Sequence, residues 1–231
     1  MVFIVAEIGV NWDGNYNLAK EMMQVTKEAG CNAVKFQAYK EEAVKEHPEK
    51  SRLINSAISK ENVEMINELA KSVGIEWFCT PMYPEAVDML EPFVKRYKVR
   101  EFDGRPLLEN KTSKLLERVF ETNKEIMVSS QTSPKGTRYE SSKIQWLYCV
   151  PKYPCKLSEL DFRNFKDFDG FSNHCVHIIA PLVSAILGAK IIEIHITSDK
   201  TKNFVDNSVS FDYEELRNLV ALIRASENIK I

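Results

Sequence analysis

The sequence predicts an α/β protein of one domain, residues 1–231, folded as a closed (β/α)8 TIM barrel whose fifth helix is missing or reduced to a turn. Two observations predict it: strand-like and amphipathic segments alternate along the chain, and 231 residues is a common length for one such barrel. An open doubly wound sheet would also need a GxGxxG turn after its first strand, and "EIGVNWDGN" lacks one.

The candidate strands are short segments rich in β-branched and aromatic residues. In order they are "FIVAEIG", "AVKFQAY", "EWFCTP", "YKVREF", "EIMVSS", "IQWLYCV", "FDGFSN" and "IIEIHIT". Because consecutive parallel strands are joined by right-handed crossovers, eight such units in sequence favour a closed barrel.

Apolar residues at helical spacing predict helices between the strands. One ends at Gly30 and another at Gly74, since glycine commonly follows a helix C-terminus. A third is predicted from Glu85 to Arg96, with a kink at Pro92.

The last helix is predicted to begin at Asp212, because Glu215 three residues later gives the spacing of a capping box. Between the fifth and sixth strands, "QTSPKGTRYESSK" is polar, contains Pro134 and Gly136 and has no apolar stripe. We therefore expect no full helix there. The apolar flank left open near residues 131–143 would be covered by a neighbouring element or buried in a homodimer.

Composition and charge exclude several classes of protein. With 31 basic and 33 acidic residues the net charge is −2, so a nucleic-acid partner is not expected. The apolar N-terminus lacks the basic residues and cleavage site of a signal peptide, and nothing approaches a membrane span of roughly 18 apolar residues. We expect a cytoplasmic protein whose five cysteines, an odd number without a CxxC pair, are reduced and mostly buried.

Polar residues concentrate at the C-terminal ends of the predicted strands, where barrel enzymes carry their active sites. They are Glu7, Lys35, Gln37, Thr80, Lys98, Glu101, Asp103, Ser129, Ser130, Tyr153, Ser172, His174, Glu193 and His195. Side chains two residues apart on a strand share a face, so Glu193 and His195 are predicted to point into the barrel.

His174 and His195 end neighbouring strands, which lie about 4.8 Å apart, and could bind one divalent ion. A single strand histidine is more often a hydrogen-bonded core residue, but two at one rim favour the metal. His177 is interpreted as a packed helix residue and His47 as a solvated one.

Lys35 and Lys98 leave three interpretations open. They could bind an anion such as phosphate, form a Schiff base, or be interior lysines paired with carboxylates. The hydroxyl groups around the rim favour the anion.

Six segments resemble, in order and spacing, the catalytic barrel of the N-acetylneuraminate (sialic acid) synthase family, which includes the pseudaminic and legionaminic acid synthases. They are "VAEIGVNWDGN", "AGCNAVKFQAYK", "FCTPMYPEAVDMLE", "LYCVPKYP", "FSNHC" and "LGAKIIEIHITSD", and the likeness runs from residue 1 to about 220. The resemblance implies condensation of phosphoenolpyruvate with the open-chain aldehyde of an N-acetylhexosamine, usually N-acetylmannosamine, giving a 2-keto sugar acid and phosphate.

The resemblance also implies roles for individual residues. A divalent metal, typically manganese, would be held by His174 and His195 and would act as a Lewis acid. Glu7 would transfer a proton, with Asp103 at a second acidic position of the family. The phosphoenolpyruvate cradle would comprise Lys35, Gln37, Thr80, Lys98, Ser129 and Ser172, and the sugar contacts Tyr153 and Asp206.

The sequence departs from the family at several points. Trp12 stands where a histidine is expected, Pro151 where many members have a sugar-binding asparagine, and Glu101 and Phe102 replace a Ser-Gly pair. A carboxylate at Glu101 would repel the phosphate unless it is paired with Arg100, Arg105 or the metal.

Full family members continue into a small antifreeze-like domain that gives an arginine to a partner's sugar site, whereas this sequence stops at Ile231. We therefore expect a separate chain to supply that domain, or the acceptor to differ, or the reaction to be incomplete. Two alternatives to the synthase stay open: a Schiff-base aldolase, and a divergent barrel that only binds a ligand or partner.

Overall fold

The computed structural model describes residues 1–140 and 143–229 and contains a closed barrel of eight parallel strands in sequence order. Each strand pairs with the next, and the last pairs with the first. The strands are β1 (Phe3–Gly9), β2 (Ala33–Ala38), β3 (Glu76–Pro81), β4 (Arg96–Val99), β5 (Glu125–Ser130), β6 (Ile144–Tyr148), β7 (Gly170–Asn173) and β8 (Ile191–His195). The predicted fold class is confirmed.

The helices among the described residues lie outside the barrel and between its strands. They are α1 (Tyr16–Glu28), α2 (Lys50–Ser56), α3 (Val63–Val73), α4 (Pro84–Leu90), α5 (Glu101–Leu108), α6 (Lys114–Glu121), α7 (Ile179–Ile186) and α8 (Tyr213–Ser226). The glycine predicted to end α3, Gly74, adopts a positive φ of 73°. The predicted capping box of α8 is also present, because the Asp212 side chain accepts from Glu215 N–H and Glu215 accepts from Asp212 N–H.

The prediction of a kinked helix from Glu85 to Arg96 is wrong. Helix α4 ends at Leu90, two residues before Pro92, and the chain turns directly into β4. Proline has no N–H to continue the helix and its ring clashes with the preceding turn, so it ends this helix rather than bending it. The fourth strand is likewise shorter than predicted, because Glu101 already begins α5.

The missing fifth helix is confirmed for residues 131–140, the part of this connection that the structure describes. The connection covers part of its own flank: Tyr139 stacks on Phe120 with ring centroids 5.8 Å apart, and its carbonyl accepts from Trp146 Nε1. Burial of this flank in a homodimer stays a prediction.

Strand β8 separates its side chains as the sequence predicts. Ile192 and Ile194 belong to the apolar core, while Glu193 and His195 contact polar groups inside the barrel. All five cysteines are free and buried. Among the described residues, no helix is both long enough and apolar enough to cross a membrane.

Candidate active site

A cavity of about 450 Å³ opens at the C-terminal ends of the strands and brings most of the predicted site residues together. The strand register explains this grouping. Glu7 is paired with Lys35 on one neighbouring strand and with His195 on the other, so the three residues lie at the same level of the barrel. The predicted residues that line the cavity are Glu7, Lys35, Gln37, Thr80, Lys98, Glu101, Ser129, Tyr153, Ser172, His174, Glu193, His195 and Asp206.

Close packing of β7 on β8 places Ser172 next to Glu193. At Gly170, a Cβ atom would lie 2.1 Å from the carbonyl oxygen of Ile191, so only glycine allows the two strands to approach this closely. The same pairing sets Ser172 opposite Glu193, and the Ser172 hydroxyl donates to Glu193 Oε1 at 2.9 Å.

Two lysines and two glutamates form a buried ionic network at the floor of the cavity. Lys35 Nζ lies 2.9 Å from Glu7 Oε2 and donates to Thr80 Oγ1 at 2.9 Å. Lys98 Nζ lies 3.1 Å from Glu193 Oε1. All four charged side chains are at most 5% exposed, so each charge depends on its partner for stabilisation.

The network favours the charged forms of Glu193 and Lys35. Burial opposes the charge on Glu193, but Lys35 and Lys98 outweigh it and hold the pKa of Glu193 below its ordinary value. Burial likewise disfavours the Lys35 ammonium, whereas Glu193 and Glu7 together raise the pKa of Lys35 above its ordinary value. A Schiff-base lysine needs a depressed pKa, so this environment disfavours that role for Lys35.

The two histidines face each other across the rim, with ring centroids 5.4 Å apart. His174 Nδ1 lies 2.9 Å from the carbonyl oxygen of Val150, which can only accept, so Nδ1 carries the proton and Nε2 has the free lone pair. Burial and the neighbouring His195 lower the pKa of His174 to about 3, which keeps it neutral. The Tyr153 hydroxyl donates to Nε2 at 2.8 Å.

His195 is buried, and its Nδ1 has no hydrogen-bond partner, although Asp206 Oδ2 lies 3.4 Å away. A neutral imidazole and a buried ring nitrogen without a partner, side by side, fit a divalent ion. No group of three or more histidine, cysteine or acidic residues suited to a metal occurs in the part of the chain described. An ion would thus have two imidazole ligands, and its remaining ligands would be groups other than histidine, cysteine or acidic side chains.

The other two histidines lie apart from this pair. His177 is exposed and precedes α7, so the interpretation as a packed helix residue is wrong; the chain leaves β7 through a turn before the helix begins. His47 is exposed, as expected, and lies at the edge of the cavity.

Two polar residues predicted at the rim do not reach the cavity. Asp103 is bound by Arg100, whose Nε and Nη2 donate to its two carboxylate oxygens at 2.5 and 3.2 Å. Ser130 donates instead to the carbonyl of Thr132. A catalytic role for Asp103 stays a prediction that this geometry does not support.

The departures from the family pattern have clear positions. Trp12 is 1% exposed and packs on Phe36 outside the cavity lining, with its Nε1 donating to the Ser56 carbonyl. Glu101 does line the cavity, but Arg105 binds its carboxylate through three hydrogen bonds of 2.8 to 3.1 Å.

Several residues that line the cavity were not predicted from the sequence. Arg100 and Cys149 reach the cavity, and an apolar wall on the β1–β3 side includes Tyr39, Val44 and Met82. Arg100 could have been found, because it lies two residues beyond Lys98 and so shares its face. The apolar wall comes largely from loops, whose positions carry no periodic signal.

Solved structures and protein relatives define the class of barrel. The N-acetylneuraminic acid synthetase of Leptospira borgpetersenii superposes with a TM-score of 0.83 and 26% identity over 97% of this chain and 83% of its own. A truncated 3-deoxy-D-arabino-heptulosonate 7-phosphate synthase from Thermotoga maritima shares the fold, with a TM-score of 0.69 and 14% identity over 97% of this chain and 86% of its own.

The chain belongs to the NeuB family, whose model matches residues 22–230. It is 31% identical to the N,N'-diacetyllegionaminic acid synthase of Legionella pneumophila, covering 98% of this chain and 72% of that protein. It is 27% identical to human N-acetylneuraminate-9-phosphate synthase, covering 97% and 70%. The family resemblance read from the six motifs is therefore confirmed.

Proposed function

We propose that this protein condenses phosphoenolpyruvate with the open-chain aldehyde of an N-acetylhexosamine-type sugar, similar to N-acetylmannosamine, to give a sialic-acid-like 2-keto sugar acid and phosphate. The observation that carries the proposal is one cavity in which Lys35 and Lys98 lie on the floor and His174 and His195 on the rim. Family membership supports it, because relatives are named as synthases of such acids.

The donor would bind over the floor of the cavity. The ammonium groups of Lys35 and Lys98 provide cations for a carboxylate and a phosphate, and hydroxyl groups beside them provide hydrogen bonds. Ser129 Oγ is buried without a hydrogen-bond partner and belongs to the cavity wall, so a ligand oxygen would satisfy it.

Glu7 is the candidate for proton transfer. Its carboxylate accepts from Gln37 Nε2 at 2.6 Å and pairs with Lys35, which fixes its position without removing it from the cavity. A positioned carboxylate can take a proton from a sugar hydroxyl during ring opening or from the attacking water. Tyr153, beside His174, and Asp206, beside His195, would contact the sugar.

His174 Nε2 and the His195 ring would hold a divalent metal, with manganese expected. A bound ion of this kind supplies Lewis-acid polarisation of the aldehyde oxygen. Tyr153, whose hydroxyl donates to His174 Nε2 at 2.8 Å, would then turn toward the sugar.

The test is release of inorganic phosphate from phosphoenolpyruvate with manganese and a panel of N-acetylhexosamines. We expect release that depends on both the metal and one acceptor, with a 2-keto acid formed in equal amount. Properly folded protein that releases no phosphate with any acceptor would contradict the proposal.

A divergent barrel that only binds its ligands is the second candidate, and Pro151 in the cavity wall favours it, because its ring offers no hydrogen bond to a sugar. Calorimetry separates the two. A synthase binds manganese and phosphoenolpyruvate, whereas a barrel that binds neither performs no such reaction. Binding of both without turnover on the sugar panel would indicate either a different aldehyde or a barrel with only a binding role.

A further inference from the structure

We propose that Arg100 is a phosphate-binding residue of this site, and that its guanidinium exchanges Asp103 for the phosphate group of a substrate. The inference rests on the proposed function and adds a residue to which neither the strand-end pattern nor the family resemblance gave a role. It also gives Asp103 a different task, that of holding Arg100 while no substrate is bound.

The backbone places Arg100 above Lys98 on the inner face of the barrel. Arg100 follows β4 directly and remains extended, with φ −65° and ψ 159°, so the alternation of the strand continues through it. Lys98 and Arg100 therefore point to the same side, and both line the cavity.

The register with β5 brings Arg100 beside an unsatisfied hydroxyl. On strands β4 and β5, Lys98 pairs with Met127 and Val99 with Val128. Continuing this register by one residue places Arg100 opposite Ser129. Ser129 is 2% exposed, lines the cavity and has no hydrogen-bond partner for its Oγ. A buried hydroxyl aimed into a cavity indicates a missing ligand oxygen.

The floor of the cavity cannot neutralise a phosphate by itself. Lys35 and Lys98 are already paired with Glu7 and Glu193, so these four charges cancel. A phosphate monoester brings about two negative charges, and an unpaired charge in a partly enclosed site is costly. Beside the proposed metal, an additional cation higher in the wall would therefore stabilise the phosphate.

Arg100 is free to supply that cation. Its side chain is 42% exposed, so a ligand can reach the guanidinium, and its partner Asp103, whose side chain is 13% exposed, is outside the cavity lining. A guanidinium binds phosphate through two parallel hydrogen bonds, a geometry suited to replacing a carboxylate.

Arg105 also lines the cavity but does not fit this role. It is bound to Glu101, which itself lines the cavity, so releasing Arg105 would leave a carboxylate without its partner beside the phosphate. Arg100 leaves no such charge behind in the cavity wall.

The phosphate could belong to the phosphoenol donor or to a phosphorylated acceptor sugar, and the experiment separates them. Calorimetry measures phosphoenolpyruvate binding to the wild type, Arg100→Gln, Arg100→Lys and Asp103→Asn with manganese present. Kinetics then compare KM for an N-acetylhexosamine with and without a phosphate ester. Loss of a charge-assisted hydrogen bond predicts a 10- to 100-fold weaker affinity for Arg100→Gln, about 1.5–3 kcal/mol, with partial recovery in Arg100→Lys.

If weakening is confined to phosphoenolpyruvate, Arg100 binds the donor phosphate. If only KM for the sugar phosphate rises 10-fold or more, Arg100 binds the acceptor phosphate. Asp103→Asn should bind the phosphate at least as tightly as the wild type.

Three results would overturn the assignment. An unchanged affinity for phosphoenolpyruvate together with an unchanged KM for the sugar phosphate in Arg100→Gln, with a wild type that binds phosphoenolpyruvate, would exclude Arg100 and leave the proposed function intact. Equal weakening by Asp103→Asn and Arg100→Gln would show that the ion pair only supports the loop. A wild type that binds no phosphoenolpyruvate removes the proposed function together with this inference.

Discussion

Replacing Glu193 by glutamine tests whether the buried charges depend on one another. Glu193 is 2% exposed and lies between Lys98, 3.1 Å away, and Lys35, 3.8 Å away. Glutamine keeps the shape and one carbonyl oxygen to accept from Ser172, so the change removes little except the negative charge. Lys35 would then keep Glu7, whereas Lys98 would lose the carboxylate with which it is paired.

Removing one partner from a buried ion pair costs about 3–5 kcal/mol, because the other charge is left uncompensated. We therefore expect Glu193→Gln to lower the free energy of unfolding by about that amount, measured by urea denaturation at neutral pH with circular dichroism. The m-value should stay the same, since the fold and the surface exposed on unfolding are unchanged.

The matched control is Glu109→Gln, which removes the same charge from an exposed pair with Lys111. We expect no measurable change in its unfolding midpoint, because solvent screens such pairs. A loss below about 1 kcal/mol in Glu193→Gln would refute the reasoning, since it would mean that the lysines do not need this carboxylate to remain buried and charged.

Further predictions concern the metal, the lysine chemistry and the barrel wall. His195→Ala should abolish stoichiometric manganese binding in calorimetry, whereas His177→Ala, at an exposed position, should retain it; retained binding in both would contradict the ligand assignment. Borohydride reduction in the presence of pyruvate should give no covalent adduct by mass spectrometry, because neighbouring carboxylates raise the pKa of Lys35; an adduct would support the aldolase. Gly170→Ala should lower the melting temperature or prevent folding, because its Cβ would lie 2.1 Å from the Ile191 carbonyl oxygen; an unchanged melting temperature would show that β7 can shift.

Much of the fold could be predicted from the sequence because its signals are local. The capping box at Asp212 fixed the start of α8, and the lack of an apolar stripe after β5 predicted the absent helix. The error at Pro92 arose because apolar spacing continues past the end of α4, and periodicity alone does not show whether a proline bends a helix or ends it.

The candidate site was predictable where residues lie on strands and less so where they lie on loops. The two-residue spacing of Glu193 and His195 placed both inside the barrel, and the structure brings them to Lys98 and Asp206. Asp103 was placed at the rim because it follows the predicted fourth strand and matches an acidic position of the family, but α5 begins at Glu101 and turns that carboxylate toward Arg100. Such a pairing depends on where the strand ends. The sequence pattern placed the end of the fourth strand at Phe102, whereas β4 ends at Val99.

The departures from the family pattern affect different properties of the protein, stability in one case and contact with the substrate in another. Trp12 is core, held by Phe36 and a hydrogen bond to Ser56, so it can alter stability but has no contact with a substrate in the cavity. Pro151 does line the cavity, two residues before Tyr153, and offers no hydrogen-bonding group where the resemblance leads one to expect an amide. Under the proposed function, a sugar hydroxyl that such an amide would bind is therefore unpaired or absent, so the acceptor should differ at the position that faces Pro151.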